Sequence, residues 1–210
     1  MDEIVRQALA KWPQVPHCYG WLGLDARGNW YMRDDGTQAA GPFPSWFDAA
    51  AHAPQPSAKG SQLRHDKLIA FIGRNYEADA SGQWYFQNGP QRVYVELEAA
   101  PWVWRVSLQG QLRVRPHTAT TPDDPEVRAL ECLVDEAGHV FLVCESAGAG
   151  VQCGVVHTQD MGAVADALEA GLLRPEQVRL ADLPSQYGWV WSPAVQSASN
   201  VRQRSETKKS

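Results

Sequence analysis

Long apolar runs, clustered cysteines and a surplus of positive charge are all missing from this 210-residue chain. No window approaches the roughly 18 consecutive apolar residues of a membrane-spanning helix, so no membrane association is expected. The N-terminal MDEIVRQALAKW is acidic and amphipathic and lacks the apolar centre of a signal peptide. Cys18, Cys132, Cys144 and Cys153 are too few and too scattered for a secreted disulfide framework. Reduced thiols and a cytoplasmic setting are therefore expected. A formal net charge of -5 leaves no general basic surface with which to displace counterions from a phosphate backbone, so nucleic acid is not an expected partner.

What remains is an ordinary globular composition, 44% hydrophobic and 20% charged, on a chain long enough to bury a core. The unusual component is nine tryptophans. Each offers a large apolar area and an N–H that needs a partner, which suits either core and sheet packing or a stacking surface for a ligand.

The pattern along the chain predicts an α+β fold built mainly from antiparallel sheet. Ile4, Val5, Ala8, Leu9 and Trp12 fall at helical spacing after a capping Asp2, and Pro13 ends that helix. CYGWLGL and DARGNWYMR read as strand, turn and strand, and Ser45 with Asp48 marks a short helix over SWFDAAAHA. A second helix is expected from Gln62 to Arg74, and QWYFQ and RVYVELE then form strands separated by the NGPQ turn. Period-two alternation puts Val93, Val95 and Leu97 on a core face and Arg92, Tyr94, Glu96 and Glu98 on a wet one. PWVWRVSLQGQLRVRP continues the meander with a turn near Gln109 and Gly110.

Residues 116–126 turn rich in Thr, Pro and Asp, the composition of a linker between a domain spanning 1–115 and a smaller α+β unit spanning 127–195. In that second part ALECLV, HVFLVCES and VQCGVVHT read as strands and DMGAVADALEAG as a helix capped by Asp160. A helical turn is expected from Pro175, YGWVWSP reads as a last strand, and 196–210 as a disordered tail.

Three turns share one pattern: Asp25-Ala26-Arg27-Gly28, Asp79-Ala80-Ser81-Gly82 and Asp135-Glu136-Ala137-Gly138, each followed two residues later by Trp30, Trp84 or Val140 and then an aromatic. Asp can accept hydrogen bonds from the amides of its own turn and Gly supplies positive φ, so the motif predicts a hairpin. The aspartates are spaced far enough apart for one supersecondary unit each, which suggests two similar hairpin units within 1–115.

Phe71-Ile72-Gly73-Arg74-Asn75-Tyr76, continued by Asp79, Gly82 and Trp84-Tyr85-Phe86-Gln87-Asn88-Gly89-Pro90-Gln91-Arg92-Val93-Tyr94-Val95, resembles a bacterial family catalogued only as a domain of unknown function. His17-Cys18-Tyr19-Gly20-Trp21-Leu22-Gly23-Leu24-Asp25 is similar to the start of that family. The resemblance covers about the first half of the chain and implies no activity, cofactor or catalytic residue.

Several chemistries can be weighed from the residues. Cys132, His139, Cys144, Cys153 and His157 contain no close ligand pair, and Cys153 and His157 on one strand would lie roughly 13 Å apart, too far for one zinc ion. Adjacent His17 and Cys18 would point to opposite faces of an extended chain. Glu145–Gly150 lacks the Lys-Ser/Thr of a phosphate-binding loop. Glu96 and Glu98 share a face at roughly 6–7 Å and could act as a carboxylate pair, or simply be solvated. The concentration of amides, arginines and aromatics in Arg74, Asn75, Tyr76, Trp84, Gln87, Asn88, Gln91, Arg92 and Tyr94 has the composition of a binding hot spot. The sequence therefore favours a noncatalytic protein that binds a protein or small molecule there, with no cofactor. A small enzyme using His17, Cys18 or the Glu96 and Glu98 pair, or a zinc protein, is the alternative.

Overall fold

The computed structural model describes residues 1–49, 58–118, 126–146 and 150–199. The chain divides into two units. The first comprises Met1–Leu24, Trp30–Glu98 and Trp189–Ser210, the second Asp25–Asn29 and Ala99–Gly188. The segment 116–126 falls inside the second unit, and its residues 119–125 lie outside the described residues.

Unit 1 contains α1 (Glu3–Lys11), β1 (Cys18–Leu24), β2 (Trp30–Met32), α2 (Asp35–Ala39), α3 (Trp46–Ala49), β3 (Ser61–Gln62), α4 (Asp66–Arg74), β4 (Tyr76–Ala78), β5 (Trp84–Asn88) and β6 (Gln91–Leu97). Its sheet has the order β3-β2-β1-β6-β5-β4. All neighbours are antiparallel except β1 and β6, which run parallel with Leu22 opposite Val95 and Leu24 opposite Leu97. Leu22, Leu24, Trp30, Ile72, Trp84, Phe86, Val95 and Leu97 are buried. Each such side chain contributes roughly 1.5–3 kcal/mol relative to exposure.

Unit 2 contains β7 (Trp102–Leu108), β8 (Leu112–Pro116), β9 (Arg128–Val134), β10 (Val140–Ser146), β11 (Gly150–Val156), α5 (Met161–Glu169), β12 (Pro175–Gln177) and α6 (Leu183–Tyr187). Its sheet order is β12-β9-β10-β11-β7-β8. Trp104, Val106, Val114, Leu142, Val156, Val164 and Ala167 form its core. Gly154 leaves room for it: a Cβ there would sit 2.6 Å from the Trp104 indole nitrogen.

The α+β class holds, and five strands of each sheet share one topology. In unit 1 the series β2-β1-β6-β5-β4 is a hairpin joined by a parallel pair to a meander. In unit 2, β8-β7-β11-β10-β9 repeats that order and every relative direction. The matching Asp turns, Asp79 between β4 and β5 and Asp135 between β9 and β10, occupy equivalent places. Asp25 lies instead between β1 and β2.

All three turns have the same hydrogen bonds. Asp25 Oδ1 accepts from the amides of Arg27 and Asn29, Asp79 Oδ1 from Ser81 and Gln83, and Asp135 Oδ1 from Ala137 and His139, each at 2.8–3.1 Å. Gly28, Gly82 and Gly138 sit at φ of +80°, +80° and +85°. A Cβ is strained there, which is why the motif needs glycine.

Local departures from the sequence reading have local causes. Asp2 occupies the N-cap position of α1 but makes no capping bond, its carboxylate pairing with Arg74 instead. Only Val5 of that helix is buried, while Ile4 and Trp12 are exposed. The helix expected from Gln62 starts at Asp66, because Ser61 and Gln62 pair with β2 and His65 caps the amide of Leu68. Residues 50–53 of the SWFDAAAHA helix lie outside the described residues. The turn from Pro175 is not helical: it pairs parallel with β9 as β12. YGWVWSP is not a strand, since α6 runs to Tyr187 and Gly188 ends it at φ +73°. The following residues make isolated backbone bonds, Val190 N–H to the Gly82 carbonyl and Leu97 N–H to the Trp191 carbonyl. Residues 193–199 are helical, with Pro193 at the first position, so the segment expected as a tail begins within a helix and 200–210 lies outside the described residues.

The turns make a quantitative prediction. The Asp135 side chain is fully buried, so Asp135→Ala strands two amides and should cost about 2 kcal/mol in urea unfolding. Asp79→Ala, in a more exposed turn, should cost less, and equal losses would show that burial does not set the strength of these turns.

Candidate functional site

Cross-strand register builds a cluster of rings at one end of the unit 1 sheet. Tyr85 lies opposite both Tyr94 on β6 and Glu77 on β4, and Gln87 lies opposite Arg92. Residues directly opposite on antiparallel strands have their side chains on the same face. The Arg92 guanidinium therefore lies over the Tyr85 ring, 4.4 Å from its centroid. Tyr94 stacks on Tyr19 of β1 at 4.5 Å and 4°, and the edge of His17 meets it at 5.8 Å. The Tyr85 hydroxyl donates to Glu77 at 2.8 Å and the Tyr94 hydroxyl to Asp79 at 3.0 Å. Burial, then the hydrogen bond to Glu77, pushes the Tyr85 phenol up, and burial raises Tyr94 to about 12. Both are neutral donors at any physiological pH.

The nine residues singled out from the sequence do not form one surface. Asn75 is buried, accepting from the Asp2 amide at 2.7 Å and donating to the Phe71 carbonyl at 2.9 Å. Tyr76 packs between Trp30 and Trp84, and Trp84 is itself buried. Gln87 is fully buried and donates to the Gly89 carbonyl across the turn. Arg74 is exposed and pairs with Asp2. Gln91 donates to the Pro16 carbonyl at 3.0 Å. Arg74, Asn75 and Gln91 thus anchor residues 2–16, while Arg92 and Tyr94 belong to the ring cluster and Asn88 is exposed at its edge.

The candidate catalytic pairs are separated or already engaged. His17 contacts Tyr94, and Cys18 is an unpaired thiol on β1. The face expected to be wet is largely covered: Tyr94 and Glu96 are each 3% exposed. Glu96 accepts from Ser192 Oγ and from the Ala194 amide, whereas Glu98 is paired with Lys59 Nζ at 2.8 Å. Burial raises the Glu96 carboxyl above its ordinary range. Cys132, Cys144 and Cys153 are buried and burial pushes their thiols up, Cys144 to about 12. His139 is engaged by Asp135, and no three His, Cys, Asp or Glu side chains converge among the described residues. No described helix is long and apolar enough to cross a membrane.

A polar cleft in unit 2 escaped the sequence reading. It has a volume of about 270 Å³ and is lined by Arg105, Val106, Ser107, Arg115, Pro116, His117 and Asp160. Asp160 was expected to cap α5 and makes no such bond. Its carboxylate instead takes Arg105 in a bidentate pair at 2.6 and 2.9 Å, and the Val106 amide at 2.9 Å. These bonds hold Asp160 ionised below its ordinary value although burial opposes it. His117 stacks on His157 at 5.3 Å and 4°, and its other side meets Gly28, where a Cβ would lie 2.3 Å from the ring. The available signal was the phase of the arginines: Arg105 and Arg115 alternate with core valines on both arms of one hairpin.

Burial, reinforced by neighbouring Arg105 and, for His117, by His157, lowers the pKa of both histidines from 6.5. Between that value and the lower folded value, the unfolded chain binds protons that the folded chain does not. This contribution to stability is therefore full above about 6.5 and lost as pH falls through it. His117→Asn should make the loss of stability between pH 7.5 and 5.5 smaller than in wild type by urea titration, and an unchanged difference would exclude His117 as a contributor.

The family model DUF2944, described as "Protein of unknown function (DUF2946)", matches residues 1–204. No curated protein matches the chain. Two solved structures are similar. A DUF1285 family protein from Shewanella baltica OS155 has 13% identity and a TM-score of 0.42, over 70% of this chain and 91% of that one. A DUF1285 family protein from Silicibacter pomeroyi DSS-3 has 12% identity and a TM-score of 0.40, over 79% and 84%. With nearly its whole length matched, the chain belongs to this DUF2944 family of proteins of unknown function.

Proposed function

We propose that the chain is a noncatalytic binding protein that engages an acidic protein segment or small carboxylate at the Arg92 end of the unit 1 sheet. The observation that carries this reading is the state of Arg92. Its charge lies against Tyr85 and is drawn to the Tyr94 hydroxyl and the Asp79 carboxylate, but no carboxylate lies in ion-pair range of it among the described residues. Exposed His17 and Asn88 and half-buried Tyr19 and Gln91 surround it, giving the Arg and Tyr composition that dominates binding surfaces. A carboxylate accepts two parallel hydrogen bonds from a guanidinium, which is the interaction Arg92 leaves unused. The few, widely spaced cysteines support a cytoplasmic setting for this role.

Thermal unfolding of wild type and an Arg92→Ala, Asn88→Ala double variant against dicarboxylates, amino acids and acidic peptides tests the reading. The variant should stay folded, since removing the cation–π contact costs about 0.5–1 kcal/mol. A carboxylate ligand should stabilise wild type by mass action and leave the variant unmoved. No stabilisation of wild type, or equal stabilisation of both, would remove this site from consideration.

A further inference from the structure

We propose that the cleft on the β7–β8 hairpin of unit 2 binds a small phosphate-type oxyanion, free or as a monoester, with Arg115 and Ser107 as its principal donors. Strand alternation sets up the site. Val106 and Val114 enter the unit 2 core, so Arg105, Ser107, Arg113 and Arg115 share the opposite face. Arg105 and Arg115 are direct cross-strand partners. Like charges placed opposite each other are destabilising unless an anion offsets them.

That offset is incomplete. Asp160 neutralises Arg105 through the bidentate pair, and Glu126 takes Arg113 at 3.1 Å. The Arg115 side chain makes no hydrogen bond or ion pair among the described residues, and the Ser107 hydroxyl makes none either. The cleft therefore carries one uncompensated positive charge. Asp160 lines it too, but its two oxygens already accept three N–H groups, which limits its repulsion of an anion.

The chemistry of the uncommitted donors identifies the ligand. A guanidinium presents parallel N–H groups that match the oxygens of phosphate, and a serine hydroxyl supplies a third, neutral donor. Partial burial of Arg115 within a cleft of about 270 Å³ screens the contact less than a flat surface would. The volume admits phosphate with a small organic group.

Titration of the full chain with inorganic phosphate and with glycerol 3-phosphate, by calorimetry at constant ionic strength and pH 7.5, tests the assignment. Saturable binding is expected for at least one, and the tighter of the two identifies the form the cleft accepts. Arg115→Gln should weaken it about tenfold or more, the scale of one charged hydrogen bond, and Ser107→Ala by a smaller factor. Arg113→Gln, whose partner is Glu126, should leave it unchanged. Melting curves will show that these surface variants are folded. Absence of saturable binding, or equal weakening by Arg115→Gln and Arg113→Gln, would overturn the proposal by reducing it to general charge.

Discussion

Each unit depends on one parallel ladder. β1 with β6, and β7 with β11, join a two-stranded hairpin to a three-stranded meander. A hairpin alone is marginal in water, whereas three or more strands with an apolar face can be stable. Joining them makes a sheet wide enough to bury a core, and neither ladder can be closed by a tight turn, because parallel strands require a long connection. Among the described residues, the connection from β1 to β6 contains β2 to β5 and the three short helices α2, α3 and α4, and that from β7 to β11 contains β8 to β10. Everything placed on either sheet, from the Tyr94 and Tyr19 stack to the Arg105 and Arg115 pair, takes its position from these ladders.

The difference between local and distant information explains what could be read from the sequence. Asp-x-x-Gly turns are complete within five residues, since the carboxylate, the amides and the positive φ belong to the same loop. Strands ALECLV, HVFLVCES and VQCGVVHT were legible for the same reason, as was α5. The parallel pairing of β12 with β9 has no local signal, and Pro175 favoured a helical reading because proline begins helices as readily as short edge strands. Asp160 shows the same ambiguity at a single residue. It stands where a capping residue belongs, but a guanidinium from a distant strand outcompetes the helix amides for its oxygens.

The amide-rich hairpin has a physical account that composition could not supply. Its side chains bond backbone groups of neighbouring segments: Asn75 takes the Asp2 amide and the Phe71 carbonyl, Gln87 the Gly89 carbonyl, and Gln91 the Pro16 carbonyl. Neutral amides suit this work because each offers both a donor and an acceptor without the desolvation cost of a charge. The tryptophans divide in the same manner. Trp30, Trp84, Trp104 and Trp189 are buried, and Trp12 and Trp21 are exposed, so packing absorbs much of the excess.

Glu96 ties the middle of the chain to its end. It is buried, and its two oxygens are satisfied by Ser192 and the Ala194 amide, which lie almost a hundred residues later. On the ribosome, β6 is complete long before those partners have been synthesised. Residues 99–188 supply nearly all of unit 2 as one continuous stretch and can fold domain-wise as they emerge. Unit 1 must wait with a carboxylate in its sheet that still requires water until Ser192 and Ala194 have emerged.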